Sequence, residues 1–184
     1  MIGAAPGSRD HLIPSAEPLT SIVLGIDPGT AVTGFGVVER RTNSDLRLVE
    51  CGVIRTSAGR PLPSRIRDIY EGVAELIERH RPVAISVEDV FVGKNTRTAL
   101  SLGHARGAIL LAAALRDLTI CEYTAVEIKK AVTGTGRATK DQVGFMVQQQ
   151  LRLKSAPAPA DAADGVAAAL CHCMVGAFGR RRRS

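Results

Sequence analysis

Three short apolar runs with tight connections are followed by a switch of hydrophobic period, and this order leaves few architectures open. Residues 21–26 form an apolar run that ends at Asp27-Pro28-Gly29, a turn signal. Residues 34–39 read as a second strand and Leu46–Arg55 as a third, so the spacing predicts an antiparallel meander. Over Leu62–His80 the period becomes helical, with Ile66, Ile69, Tyr70, Val73, Leu76 and Ile77 on one face and Ser64 as the expected N-cap. Pro82 starts a new unit with a buried strand over 83–87. A long Ala- and Leu-rich helix over 96–118 and a fifth strand over 120–126 follow. Shorter helices are expected over 127–132 and 140–151, a proline-containing loop over 155–160 and a final apolar helix over 161–178. The order β-β-β-α-β-α-β-α implies an α/β fold, a five-stranded mixed β-sheet flanked by α-helices. Its fourth and fifth strands should run parallel to the first, because helices connect them.

With 184 residues the chain suits one domain, expected over 21–179. Residues 1–20 read as a disordered N-terminal extension and 180–184 as a basic C-terminal tail. Trp is absent and aromatics are 3%, so Val, Ile, Leu and Ala must build the core. No apolar run reaches the ~20 residues of a membrane span. The first twenty residues also lack the basic start and apolar centre of a signal peptide. These features point to a cytoplasmic protein. Cys51, Cys121, Cys171 and Cys173 form no CxxC pair and read as free core thiols.

The net charge is +6, and its distribution says more than its size. Residues 93–107 carry Lys94, Arg97 and Arg106 and no acid. Residues 126–154 carry Lys129, Lys130, Arg137, Lys140, Arg152 and Lys154 against Glu127 and Asp141. Such stripes are the footprint of a polyanion partner or, equally, a solvated helix face.

Asp27 ends the first strand and Glu88 the fourth. If those strands are parallel neighbours, both carboxylates emerge at the carboxyl edge of the sheet, where open α/β sheets place ligands. Asp161 and Asp164 have i, i+3 spacing at a helix start and share a face. Asp161 alone could simply serve its helix terminus. Crowded carboxylates repel unless cations sit among them. Oxygen ligands of this kind suit Mg²⁺ or Mn²⁺. A pair of such ions can activate a water and stabilise the leaving oxygen of a phosphodiester. The segment Gly25 to Thr30 also has the look of the phosphate loop of actin-like and sugar-kinase ATPases, but those are two-domain proteins in longer chains.

Four segments in order, Gly25-Ile26-Asp27-Pro28-Gly29, Glu88 through Asn95, Gly103-His104-Ala105-Arg106-Gly107 and Asp161-Ala162-Ala163-Asp164, resemble the RuvC-type Holliday junction resolvases. The similarity runs from about Ile22 to Met174. The resemblance implies an RNase H-like fold, a homodimer and two symmetric nicks across four-way junction DNA in recombination and repair. It implies catalytic and metal-binding roles for Asp27, Glu88, Asp161 and Asp164, with two Mg²⁺ per site and Mn²⁺ as a substitute. It also implies a branch-migration motor as partner. Lys140 matches a family lysine expected near the scissile phosphate, where it can stabilise negative charge. Lys129 matches one expected to bind DNA, with Lys130 as the alternative contact. Phe91 is expected to stack on junction bases, or else to close the strand end over the core. Lys94, Asn95, Arg97 and Arg137 complete the expected DNA surface. The Gly103–Gly107 segment should let a helix approach closely, in a dimer or within the monomer, and His104 and His172 read as structural. Gly165 is expected to loosen the turn that carries Asp164, since an interior glycine costs about 1 kcal/mol against Ala. The alternative functional reading is a junction-binding protein without catalysis.

Overall fold

A computed structural model of the chain describes residues 20–42, 44–89 and 96–175, with 96 and 97 as backbone alone. The elements are β1 (Ser21–Asp27), β2 (Val32–Arg40), β3 (Leu46–Arg55), α1 (Leu62–His80), β4 (Ala84–Asp89), α2 (Thr96–Ala114), β5 (Thr119–Thr124), α3 (Ala125–Thr133), α4 (Lys140–Gln150) and α5 (Ala160–Val175). The five strands form one sheet in the order β3-β2-β1-β4-β5. β2 is antiparallel to both β1 and β3. β4 is parallel to both β1 and β5, as the crossover helices require.

Strand alternation sorts the two faces of the sheet. Leu24, Ile26, Val37, Ile85 and Val87 pack with Ile69, Val73 and Ile109 of α1 and α2. Val23, Val38 and Tyr123 pack with Ile128, Val147, Val166 and Leu170 of α3, α4 and α5. Gly25, Asp27, Gly34, Gly36, Ser86 and Glu88 alternate with the first set, so they lie on the α5 face.

Helix α5 rests directly on β1 and β2 because side chains are missing where it crosses them. A Cβ at Gly34 would collide with the Asp161 carbonyl, and one at Gly36 with the Val166 backbone. From the helix side, a Cβ at Gly165 would meet the Phe35 Cα at 2.5 Å. Buried Ser86 fixes the same helix to β4: its Oγ donates to the Ala168 carbonyl at 2.7 Å. Gly165 therefore seats the turn that carries Asp164; the expected loosening is reversed. Its propensity cost is a local term, and close helix–sheet packing outweighs it.

Several boundaries differ from the sequence expectation for local reasons. α1 starts at Leu62 behind Pro61, which makes no side-chain cap bond, so Ser64 lies inside the helix and is not its cap. α2 ends at Ala114; Asp117 takes a left-handed φ of 53° and the Leu118 N–H returns to the Ala113 carbonyl at 3.2 Å. Leu115 and Leu118 continue the helical spacing, which hid this stop. α3 begins at Ala125, two residues early, because Thr124 caps it. The Glu127 N–H donates to Thr124 Oγ1 at 3.2 Å, and Glu127 Oε2 accepts from the Thr124 N–H at 2.9 Å. β4 continues to Asp89, so Glu88 lies within the strand. The expected extension, up to Leu19, and the tail at 180–184 lie outside the described residues. Among the described residues, no helix is long and apolar enough to cross a membrane.

Candidate active site

Two strand ends and one helix start bring the four acids together. Ile26 is level with Val87 in the parallel pair, so Asp27 and Glu88 follow at the same carboxyl edge. Asp27 pairs across to Gly34 on its other side. The Asp161 carbonyl lies over Gly34, which sets the first turn of α5 beside Asp27. Asp27, Glu88, Asp161 and Asp164 are all half-buried.

Their mutual field is strong. Burial, then the charges of Glu88 and Asp164, push Asp27 up to about 7; Asp161 adds to this and Lys140 opposes it. Glu88 is raised by burial and by Asp164, and eased by Lys140 and Lys129. Lys140 donates from Nζ to Asp164 Oδ2 at 2.7 Å. That bond, and then the Asp164 charge, hold Lys140 above its ordinary range, with Asp27 and Asp161 contributing.

Local sequence places this lysine. Thr139 caps α4 and forms a capping box with Gln142, whose Oε1 accepts from the Thr139 N–H at 2.9 Å. Lys140 thus opens a fixed helix while its side chain remains 72% exposed. Among the described residues, no group of three or more His, Cys, Asp or Glu side chains could hold a metal ion in its present arrangement. The donor chemistry nonetheless fits a hard divalent cation: the site supplies carboxylate oxygens, and its burial and mutual repulsion favour added positive charge.

The other expected site residues divide. Phe91, Lys94 and Asn95, with the side chain of Arg97, lie outside the described residues. Lys129 is half-buried and its charge reaches Glu88, so it stands nearer the acids than a DNA-contact role alone implies. Lys130 and Arg137 are exposed. Arg106 departs from the basic stripe: it is ion-paired with Glu122 and lies 3.9 Å from Asp89. Ser86, Gly34 and Gly36 were missed. Glycine on alternate strand positions was the available signal for a close backbone approach.

His172, Cys171 and Cys173 have structural surroundings, whereas His104 is exposed and Cys51 and Cys121 are only half-buried. Nδ1 of His172 shares a 2.9 Å hydrogen bond with the Tyr123 hydroxyl, and burial lowers its proton affinity. Cys171 and Cys173 are buried, and burial pushes their thiols up to about 12 and about 11, so both are poor nucleophiles at neutral pH.

Residues 23–172 match the family model described as crossover junction endodeoxyribonuclease RuvC. The chain belongs to the RuvC family. A RuvC of Pelotomaculum thermopropionicum is 50% identical over 151 residues, covering 82% of this chain and 92% of that relative. One from Moorella thermoacetica is 48% identical over 163 residues, covering 88% and 96%. Thermus thermophilus RuvC, solved in complex with Holliday junction substrate, superposes with a TM-score of 0.81 at 36% identity, covering 85% of this chain and 94% of that one. The yeast mitochondrial Holliday junction resolvase shares the fold alone, at a TM-score of 0.64 and 16% identity. RuvC membership fixes the RNase H-like fold and the reaction class: endonucleolytic resolution of Holliday junctions in recombination.

Proposed function

We propose that this resolvase works as a metal-dependent homodimer, with Asp27, Glu88, Asp161 and Asp164 as the ligands of its catalytic site. The supporting observation is the convergence of these acids, from three elements distant in sequence, on one sheet edge beside Lys140. Bound Mg²⁺, or Mn²⁺ in its place and two ions per site, would supply the positive charge that activates water and stabilises the leaving oxygen. Asp27 and Glu88 hold their carboxylates on strands with neighbours on both sides, and Asp161 and Asp164 on a helix seated by Gly34 and Gly165. Lys140 contributes positive charge where the scissile phosphate gains negative charge. Lys129, Lys130 and Arg137 provide backbone-phosphate contacts, and Phe91, Lys94, Asn95 and Arg97 extend that surface.

The homodimer reading is supported by one face of α2. Leu100, Leu111 and, one residue past the helix end, Leu115 are 66%, 52% and 63% exposed and share a helical stripe with Gly103, His104 and Gly107. A Cβ at either glycine would meet nothing within 4 Å, so these positions pack against no part of the described monomer. Exposed leucines beside glycines suit close packing of a second α2. A two-fold dimer presents two sites to strands of equal polarity, which gives paired symmetric nicks. A branch-migration motor as partner, work at the cytoplasmic nucleoid, and one nuclease domain over 21–179 complete the reading.

A synthetic four-way junction tests it. With Mg²⁺ the protein should make paired nicks at symmetric positions, and chelation should abolish them. Binding without nicks under any divalent ion would favour the non-catalytic reading, and junction-independent ATP hydrolysis the ATPase reading.

A further inference from the structure

We infer that Lys140 is the resident counter-ion of the ion-free site, neutralising Asp164 until a divalent cation takes that carboxylate and frees the lysine for a junction phosphate. The inference rests on the metal reading above and deepens it.

Geometry carries it. The ammonium lies 2.7 Å from Asp164 Oδ2, at full hydrogen-bond contact. An ammonium there and a divalent ion on the same carboxylate compete, because both neutralise Asp164 and repel each other at a few ångströms. The two partners differ in freedom. Asp164 is 21% exposed and sits on a helix packed flush against the sheet, whereas the Lys140 side chain is 72% exposed on a capped helix start. When the pair separates, the lysine is the member able to move. Its flexible stem and point charge suit a second anionic partner, and a phosphodiester is the anion this family handles.

Two consequences follow. Ion loading without DNA competes with the lysine for Asp164, so the contact holds down the free protein's affinity for divalent cations. A bound phosphate that draws Lys140 away strengthens ion binding, and by reciprocity a bound ion strengthens the phosphate contact. A lysine serving only the transition state would leave ion affinity in the absence of DNA unchanged.

The test is Mn²⁺ binding to the full chain without DNA, at pH 8.5, followed by the electron paramagnetic resonance of the free ion. Lys140→Met should bind Mn²⁺ about fivefold more tightly than wild type, the size expected for losing a largely exposed pair. Lys140→Arg should stay close to wild type. Lys129→Met removes the same charge without the contact and should gain less than Lys140→Met. In an Asp164→Asn background, the gain from Lys140→Met should shrink to about that of Lys129→Met, the part owed to charge without the contact. Unchanged or weaker binding by Lys140→Met overturns the exchange while leaving the metal reading intact. A gain equal to that of Lys129→Met in the otherwise native protein, or one undiminished in the Asp164→Asn background, also overturns it. If neither wild type nor Lys140→Met binds Mn²⁺, the exchange and the metal reading fall together.

Discussion

Gly165 lies so close to Phe35 that a methyl group on it would meet the Phe35 Cα at 2.5 Å and the adjoining backbone atoms at 2.6 Å. This contact, one residue beyond Asp164, sets the height of α5 above β2. Two effects compete at the position. Alanine would gain about 1 kcal/mol of helix propensity. It would also overpack a backbone-to-backbone contact, which typically costs about 1–3 kcal/mol.

Gly165→Ala should therefore destabilise the protein by up to about 2 kcal/mol net and lower junction cleavage more than junction binding. Urea denaturation reads the first effect. Cleavage and gel-shift assays on one junction read the second. A stabilised variant would mean that α5 does not sit flush.

Asp27 gives the ion-free protein an unusual pH dependence. Its folded proton affinity, raised to about 7, exceeds the ordinary value of 3.8, so between those pH values the native state binds more protons than the unfolded chain. Stability from this group is therefore greatest at the acid end of that window and falls as pH rises through about 7. Glu88, raised in the same direction, adds to the trend. His172 opposes it below about 6.5, because its lowered affinity keeps it neutral in the fold. Thermal melts in chelator, from pH 5 to 8.5, should show Asp27→Asn gaining on wild type as pH rises. A constant difference between the two would place Asp27 outside the carboxylate cluster.

The salt dependence of junction binding separates the cations. Lys129→Met and Arg137→Met should each reduce the slope of log affinity against log salt by about 1. Arg106→Met should leave the slope unchanged, because Arg106 is occupied by Glu122 and faces Asp89. Titrations at four salt concentrations decide this. A shallower slope for Arg106→Met would return that residue to the DNA surface.

Leu111→Asp should dissociate the proposed dimer, since a carboxylate at the centre of the exposed α2 stripe cannot be buried against a second copy. Sedimentation equilibrium should report a monomer, and junction assays single, unpaired nicks. A variant still dimeric at micromolar concentration would move the interface elsewhere.

Much of this arrangement was legible in the sequence. Asp27 and Glu88 follow apolar strand runs, and the parallel order that puts them on one edge follows from the helices between the strands. Asp161 and Asp164 declare a shared face by their spacing. What the sequence left open was contact between distant residues. Gly34 and Asp161 are far apart in the chain, and glycine in a strand reads locally as weakness. Arg106 looked free because its partners, Asp89 and Glu122, flank the basic window from either side. The start of α3 was misplaced because Thr124 serves both as the last strand residue and as the cap.

The central claim is that four converging carboxylates form the cutting site, and Asp164→Asn tests it most directly. The substitution keeps the shape of α5 and removes one charge. The measurement is cleavage of a synthetic four-way junction with Mg²⁺, mapped at nucleotide resolution, beside a binding titration of the same junction in calcium. The predicted result is a loss of paired nicking of about a hundredfold or more with binding essentially retained. Near-normal paired nicking by Asp164→Asn would contradict the four-carboxylate site.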